Sequence, residues 1–165
     1  METPFHDQRI IEFSDHMEAI RENGGVIKFS DIDLMDLYKL APFIVIYNRE
    51  QSGRLKIRFV GTAITQQYDQ DVTGTYLDEL NIGPNSDKLA PIYEQLIENQ
   101  LPQWMFITAE SPEDITLNRK ASFYAYERLA YPLRNDTGDI TNIISLVALQ
   151  SITSAPIEFK HIELD

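Results

Sequence analysis

One short segment of this 165-residue chain combines acidic side chains with a glycine. Residues 69–74 read Asp-Gln-Asp-Val-Thr-Gly, which places oxygen-bearing side chains at alternate positions before the glycine. An EF-hand calcium loop begins in this way, but it also needs a bidentate glutamate at its twelfth position. That position is Leu80 here, and Glu79 falls one place early. The strand expected at residues 55–59 also lies where an EF-hand would have its flanking helix, so the pattern argues against calcium.

A phosphate site fits the same segment even less well. It has one glycine, no lysine follows that glycine, and Asp69 and Asp71 would repel a phosphate group. The alternative is a turn, in which Gly74 adopts a positive φ and Asp or Thr side chains bond to the local backbone. We therefore predict a turn and no metal-binding residues.

Other residue types that carry chemistry are absent or poorly spaced. The chain has no cysteine, which removes thiolate nucleophiles, disulfides and thiol-linked cofactors. His6, His16 and His161 are not spaced three or four positions from one another, so they do not form a histidine pair for a metal, and we predict that they are solvated or capping. Asp78 and Glu79 are adjacent, so their side chains point in different directions and do not form an acid/base pair.

No Gly-x-Ser-x-Gly nucleophile motif occurs either. The sequence therefore predicts that this protein is not an enzyme. A small α+β cone-fold enzyme of the isomerase kind, with a buried acid or tyrosine, is the alternative.

Composition narrows the classes of partner. The chain is 43% hydrophobic and 24% charged, typical of a globular protein, and its length favours one domain. A formal net charge of -12 repels phosphate backbones and anionic lipids, which argues against nucleic acid and membrane surfaces. No apolar run approaches the ~18 residues of a membrane span, and the polar N-terminus does not resemble a signal peptide. We expect a cytoplasmic protein.

Hydrophobic periodicity predicts two long helices and five strands. Ile10, Phe13, Met17 and Ile20 form one apolar stripe and indicate a helix over residues 7–22. A fuller stripe indicates a helix over residues 84–99. A short helix is expected at residues 30–39, and a helical turn or two at residues 62–68. The predicted strands cover residues 43–47, 55–59, 104–107, 121–133 and 142–149, and a short extended piece outside the sheet is expected at residues 26–29. Residues 157–165 have only a weak pattern.

The order of these elements predicts an α+β fold with a five-stranded antiparallel sheet. The first and last strands are apolar on both faces, so we place them in the centre of the sheet as neighbours. The second strand alternates apolar and polar residues, which suits an edge. The crossover helices, chiefly residues 84–99, would cover one face. The N-terminal helix or a second subunit would cover the other.

The layout with the first and last strands central resembles the PAS fold. Residues 58–64, Arg-Phe-Val-Gly-Thr-Ala-Ile, precede Asp-Val-Thr-Gly at 71–74 and Leu-Asp-Glu-Leu at 77–80. Together with Tyr-Pro-Leu at 131–133, these motifs resemble a PAS-like family known mainly from alphaproteobacterial proteins. The resemblance covers roughly residues 30–150. It implies a bacterial sensory or regulatory module in signal transduction, without catalysis. We expect an N-terminal helix and linker over 1–29, a PAS-like domain over 30–155 and a tail over 156–165.

The resemblance also bears on cofactors. Haem-binding PAS domains usually supply an axial histidine from the crossover helix, and residues 84–99 contain none. Met35 and Met105 could ligate iron, but core packing suits them better. The light-sensing branches that attach flavin or hydroxycinnamate need a cysteine, which is absent. Non-covalent flavin remains open.

Aromatic residues fall on the elements that would wall a PAS pocket. The candidate ligand-binding residues are Tyr68, Tyr93, Trp104, Phe106, Tyr124 and Tyr126. Strand alternation places Phe123 with Ala121 and Ala125 on one face, and Tyr124 with Tyr126 on the other. Small residues beside large ones can leave a cavity for a small molecule. The alternative is an ordinary aromatic-rich core. In that case the chain would be a ligand-free protein-interaction module. The candidate partners are thus a small molecule, a second copy bound through the N-terminal helix, and another protein.

Overall fold

Three helices and seven strands make up the part of the chain that the computed structural model describes. It describes residues 3–80, 86–111, 116, 122–152 and 158–165, with the backbone alone at residues 68, 86, 109–111, 122–124 and 151–152. The helices are α1 (Gln8–Ile20), α2 (Thr62–Tyr68) and α3 (Leu89–Asn99). The strands are β1 (Ile27–Lys28), β2 (Ile44–Arg49), β3 (Leu55–Val60), β4 (Gln103–Ser111), β5 (Ser122–Arg134), β6 (Ile140–Ile152) and β7 (Glu158–Glu163).

The strands form one sheet in the order β3-β2-β6-β5-β4-β7. Neighbours along this path are antiparallel. β2 pairs with β6 from Ile44 opposite Leu146 to Asn48 opposite Asn142. The two strands that are apolar on both faces are therefore central neighbours, and β3 lies at an edge, as predicted. These five strands between two helical layers confirm the predicted α+β arrangement.

Helix α1 covers what we call the outer face of the sheet, which carries Ile44, Leu129 and Leu146. The Asp7 side chain caps the helix by accepting from the Arg9 amide, one of the N–H groups that the helix itself leaves unpaired. Three stripe residues, Ile10, Phe13 and Met17, are completely buried against this face. The predicted stripe thus packs on the chain's own sheet and is not an exposed surface for a second copy.

The opposite, inner face packs against α2, α3 and the segment between them. Val45, Ile143 and Val147 from the central strands join Tyr93 and Leu96 of α3 in a second buried cluster. The 3₁₀ turn Leu77–Glu79 contributes Leu77 to the same layer. Each face therefore has its own core, as expected for a sheet whose central strands are apolar on both sides.

Two strands extend the sheet beyond the five that the pattern predicts. β1 spans two residues and pairs in parallel with Leu133 and Arg134, at the end of β5. β7 pairs with β4 from Gln103 to Thr108. Its sequence, Glu-Phe-Lys-His-Ile-Glu, carries charges typical of an edge strand and does not alternate apolar with polar residues. Periodicity therefore gives a weak signal for this strand although its backbone is fully engaged with β4.

Helix boundaries also differ from the predicted ones. The predicted helix over 84–99 is a 3₁₀ turn, Ser86–Lys88, followed by α3, and residues 84–85 lie outside the described chain. The predicted helix over 30–39 is wrong: a 3₁₀ turn at Phe29–Asp31 gives way to successive turns. Its polar residues cap these turns, as where the Asp33 carboxylate accepts from the Met35 amide. Among the described residues, no helix has the length and apolar character that a membrane span requires.

Candidate functional site

The six predicted pocket residues are divided between the two faces of the sheet. Trp104 and Phe106 lie on the outer face, where their rings stack with centroids 6.3 Å apart. Tyr93 and Tyr126 belong to the inner layer. Because successive strand residues point to opposite faces, Trp104 and Phe106 cannot line the same pocket as Tyr93 and Tyr126.

The other two predicted residues are described by backbone alone. Tyr68 is the last residue of α2. Tyr124 pairs with Ala109 of β4 and Ser151 of β6. Their side chains lie outside the described structure, as does that of Phe123.

A buried arginine organises the centre of the inner face. The Arg128 Nη1 donates to the hydroxyl oxygens of Tyr47 and Tyr93, each 3.1 Å away. The two tyrosine rings meet edge to face with centroids 5.2 Å apart. Arg128 is 4% exposed, so the cation is held inside the protein by polar contacts that offset part of its desolvation.

An apolar cleft opens at one end of the inner layer. It has a volume of about 170 Å³ and lies between α2 and β6. Its lining residues are Phe43, Ala63, Ile64, Gln67, Val147 and Leu149. Val147 pairs across the strands with Arg128, so the floor of the cleft adjoins the buried arginine cluster. We call this the α2–β6 cleft.

On the outer face, a buried carboxylate ties the start of α1 to the sheet. Glu127 is 2% exposed. Its Oε1 accepts from the His6 amide at 2.9 Å and from the Trp104 indole at 2.7 Å, and its Oε2 accepts from the Asp7 amide at 2.7 Å. Three N–H donors thus satisfy the charge, which is what allows a carboxylate to be buried here.

Asp7 extends this network to Arg9. Its two carboxylate oxygens accept from the Arg9 Nε at 2.9 Å and Nη2 at 2.7 Å, and Oδ2 also accepts from Gln150 at 2.6 Å. These bonds, chiefly that from the Arg9 side chain, lower the pKa of Asp7 from 3.8 to about 2. The carboxylate therefore stays ionised far below neutral pH.

The Arg9 guanidinium also contacts the α2–β6 cleft. Its Nη2 donates to the Leu149 carbonyl oxygen at 3.4 Å. Its central carbon lies 4.5 Å from the centre of the Phe43 ring, within cation–π range. Since Phe43 and Leu149 both line the cleft, Arg9 connects the N-terminal cap to two lining residues of the cleft.

The segment 69–74 is a turn, as predicted. Asp71 Oδ1 accepts from the Thr73 amide at 2.9 Å, and Gly74 has a φ of 83°. The Gly74 amide donates to the Ile57 carbonyl oxygen at 2.8 Å, which fastens the turn to the edge of β3. Within the described ranges, no three His, Asp or Glu side chains are grouped closely enough to hold a metal ion.

One of the three histidines is part of a polar network. His161 on β7 is half-buried, and its Nε2 lies 2.5 Å from Gln103 Oε1. Burial lowers the pKa of His161. Gln103 in turn donates to Glu163 at 2.7 Å, so the network fastens β7 to β4. His161 is thus neither solvated nor a helix cap, which corrects the prediction, whereas the His6 ring is exposed and packs edge-on against Phe106.

Sequence reasoning missed most of the residues that line the cleft. Phe43, Ala63 and Ile64 come from elements that are distant in the chain or short, and their types carry no chemical signal. Arg128 was detectable, because alternation along β5 places it on the same face as Tyr126. A charged residue at an inward-facing position of a strand that is buried on both faces indicates a buried polar cluster.

Comparisons with known proteins show a similarity of fold alone. No family model matches the chain, and no curated protein matches it. One similar solved structure is described as "Flavin Analogue Sheds Light on Light-Oxygen-Voltage Domain Mechanism". It has a TM-score of 0.49 and 14% identity, over 74% of this chain and 87% of the other. A second is described as "VqmA bound to DPO", with a TM-score of 0.48 and 17% identity, over 72% of this chain and 56% of the other.

Similarity at this level does not indicate a function. The fold class rests on the strand order, in which the first and last strands of the predicted five are central and helices cover both faces. That arrangement is PAS-like. The alphaproteobacterial family suggested by the motifs stays a prediction.

Proposed function

We propose that this protein is a PAS-like regulatory module that binds a small, largely apolar molecule in the α2–β6 cleft. The observation that carries the proposal is the cleft itself, with five apolar lining residues and one amide, that of Gln67. Binding sites of this kind combine apolar walls with a few polar groups that fix orientation.

The size of the cleft limits the ligand. An apolar cavity of about 150 Å³ in another protein holds a benzene molecule. Sites for drug-sized ligands and cofactors span roughly 300–1,000 Å³. At about 170 Å³, the α2–β6 cleft suits a molecule with one ring or a short aliphatic chain. Non-covalent flavin is too large for the cleft as it stands.

We expect such a ligand to change the docking of α1. Arg9 contacts the cleft residues Phe43 and Leu149 on one side and Asp7 on the other. A ligand that moves Phe43 would therefore disturb the cap that holds the helix start against Glu127. Helix α1 would then have a docked and an undocked state. The ligand shifts the equilibrium between them by the difference between its affinities for the two states.

The proposed module acts by binding and not by catalysis. A cone-fold isomerase would need a carboxylate with a raised pKa inside its apolar pocket. No carboxylate side chain is among the described residues that line the cleft. Asp7, which is buried on the outer face, has a lowered pKa. These observations favour a binding role.

A thermal-shift screen of single-ring aromatic and short aliphatic compounds tests the proposal. A ligand present at 100 times its Kd should stabilise the fold by about 2.7 kcal/mol and raise the melting temperature. Ala63→Leu should fill the cleft and abolish the shift, since it adds an aliphatic side chain at a lining position. Gln66→Leu adds the same side chain at an exposed position of α2 and should preserve it.

Two results would count against the small-molecule function. One is a screen in which no compound shifts the melting temperature of the wild-type chain. The other is a shift that survives Ala63→Leu unchanged. With a hit in hand, hydrogen exchange at the His6 and Asp7 amides, which donate to Glu127, measures whether ligand binding loosens α1.

A further inference from the structure

A second depression lies on the inner layer, remote from the α2–β6 cleft. It has a volume of about 340 Å³ and lies between the β2–β3 hairpin and α3. We call it the hairpin groove. The lining residues that matter here are Arg54, Leu55, Leu77, Asp78, Glu94 and Ile97. The groove shares no lining residue with the cleft, so a role for it is independent of the small-molecule proposal.

The floor of the hairpin groove is apolar. Leu55 and Leu77 are 8% and 5% exposed, and Ile97 is half-buried against the same core. An apolar floor with polar edges is the usual form of a pocket that receives an anchoring side chain from a partner.

The rim of the groove has an excess of negative charge. Arg54 is held by both neighbouring acids: its Nε and Nη2 donate to Asp78 at 2.9 and 2.7 Å, and its Nη2 also donates to Glu79 at 2.8 Å. The Arg54 guanidinium carbon lies 3.7 Å from the centre of the Tyr76 ring, which further fixes the side chain. This cation is already matched by two carboxylates and is not available to attract an anionic partner.

Two more carboxylates face solvent on α3, of which Glu94 lines the groove. Glu94 and Glu98 lie one turn apart on α3, and both are exposed. Neither forms an ion pair within the described residues. The uncompensated charge around the apolar floor is therefore negative, in a chain whose net charge is already -12.

We propose that the hairpin groove docks a basic amphipathic helix of a partner protein. One aliphatic side chain of that helix would occupy the floor formed by Leu55, Leu77 and Ile97. Lys or Arg residues one turn apart on the partner would meet Glu94 and Glu98, whose i, i+4 spacing matches a helical partner. One anchoring side chain and a few charges make only part of a stable interface, which buries roughly 800 Å² per partner, so the complex should be weak and reversible.

A synthetic peptide tests this docking. The probe is a fluorescein-labelled amphipathic peptide of Leu, Lys and Ala, about 18 residues long so that it can form a helix. Fluorescence anisotropy should show saturable binding to the full chain that weakens as salt is added. A peptide with Glu in place of each Lys should not bind.

Paired charge reversals separate docking from general attraction to an acidic protein. Glu94→Lys should weaken binding about tenfold or more, because the new charge repels the partner at the groove. Glu12→Lys makes the same change in net charge at an exposed position of α1 and should weaken binding less than about twofold. Equal weakening by the two variants, or no saturable binding to the wild-type chain, would overturn the proposal. Both positions are exposed, and thermal melts check that each variant folds.

Discussion

At the scale of single residues, the clearest feature is a pair of buried side chains, one basic and one acidic, on opposite faces of the sheet. On the inner face, Arg128 donates to the hydroxyls of Tyr47 and Tyr93. On the outer face, Glu127 accepts from the amides of His6 and Asp7. They are neighbours on β5, so alternation sends them to opposite sides. One strand therefore anchors both layers of the protein.

Replacing Glu127 with glutamine should destabilise the fold. Glutamine keeps the shape, but it loses one acceptor oxygen and the charge, so at least one buried N–H of His6, Asp7 or Trp104 loses its partner. We expect a loss of roughly 2–3 kcal/mol in the free energy of unfolding, measured by urea denaturation. Glu12→Gln, on the exposed face of α1, should change it by less than about 0.5 kcal/mol. Similar effects from both variants would contradict the anchoring role of Glu127.

The ion pair of Asp7 with Arg9 predicts a pH dependence. The Arg9 side chain lowers the pKa of Asp7 to about 2 in the folded state, against 3.8 for an unperturbed aspartate. Folding therefore favours the ionised form. Its contribution is complete above about pH 5 and disappears as the pH falls from about 4 towards 2. We expect it to be worth roughly 1–2 kcal/mol, allowing for the partial solvent exposure of Arg9.

Asp7→Asn isolates this contribution, because asparagine still caps a helix but carries no charge. The wild-type chain should exceed the variant in stability near pH 7, and the two should converge near pH 2. The measurement is urea denaturation across this range. A difference that stays constant with pH would show that the charge of Asp7 plays no part.

At the scale of elements, the packing of α2 against the Ala41–Phe43 turn is close enough to exclude any side chain at Gly61. A Cβ built on Gly61 would lie 2.2 Å from the Pro42 carbonyl oxygen and 2.4 Å from that of Ala41. Both atoms belong to backbone and cannot rotate away. The Gly61 amide also donates to the Ile44 carbonyl oxygen at 2.8 Å, which joins α2 to the central strand.

Gly61→Ala should therefore push α2 away from the sheet. We expect a loss of roughly 2–4 kcal/mol in the free energy of unfolding, since overpacked sites of this kind cannot relax without moving backbone. Thr62→Ala, at the next and exposed position, is the control and should be nearly neutral. Thermal or urea unfolding measures both. A neutral Gly61→Ala would mean that the contact with Pro42 is looser than described.

Elements differed in how far sequence could predict them. The β2 and β6 strands were predictable because both of their faces are buried, which leaves an unbroken apolar run. The α1 helix was predictable because its buried face leaves a regular apolar stripe. β7 was not, because it is bonded to β4 by backbone atoms, which leave no trace in side-chain type. Residues 104–107 are all apolar. Alternation divides them into two pairs that point to opposite faces of the sheet, but it does not show which pair faces α3. The cleft depends on how separate elements meet, which no local pattern encodes.

At the scale of the whole molecule, the two proposed sites lie at opposite ends of the inner layer. The α2–β6 cleft is apolar and adjoins the cap of α1, and the hairpin groove has an acidic rim. Between them lies the buried cluster of Arg128, Tyr47 and Tyr93. One chain thus has room for a small ligand and a protein partner at the same time, without competition for residues.

The pairing of β2 with β6 has a consequence for synthesis on the ribosome. Ile44 emerges about a hundred residues before its partner Leu146. At a synthesis rate of roughly 5–20 residues per second, the apolar strand Ile44–Arg49 waits about 5–20 seconds for its central neighbour. The hairpin with β3 protects one edge of this strand during that interval. The other edge stays open to chaperones or to a neighbouring nascent chain until the last third of the protein has been made.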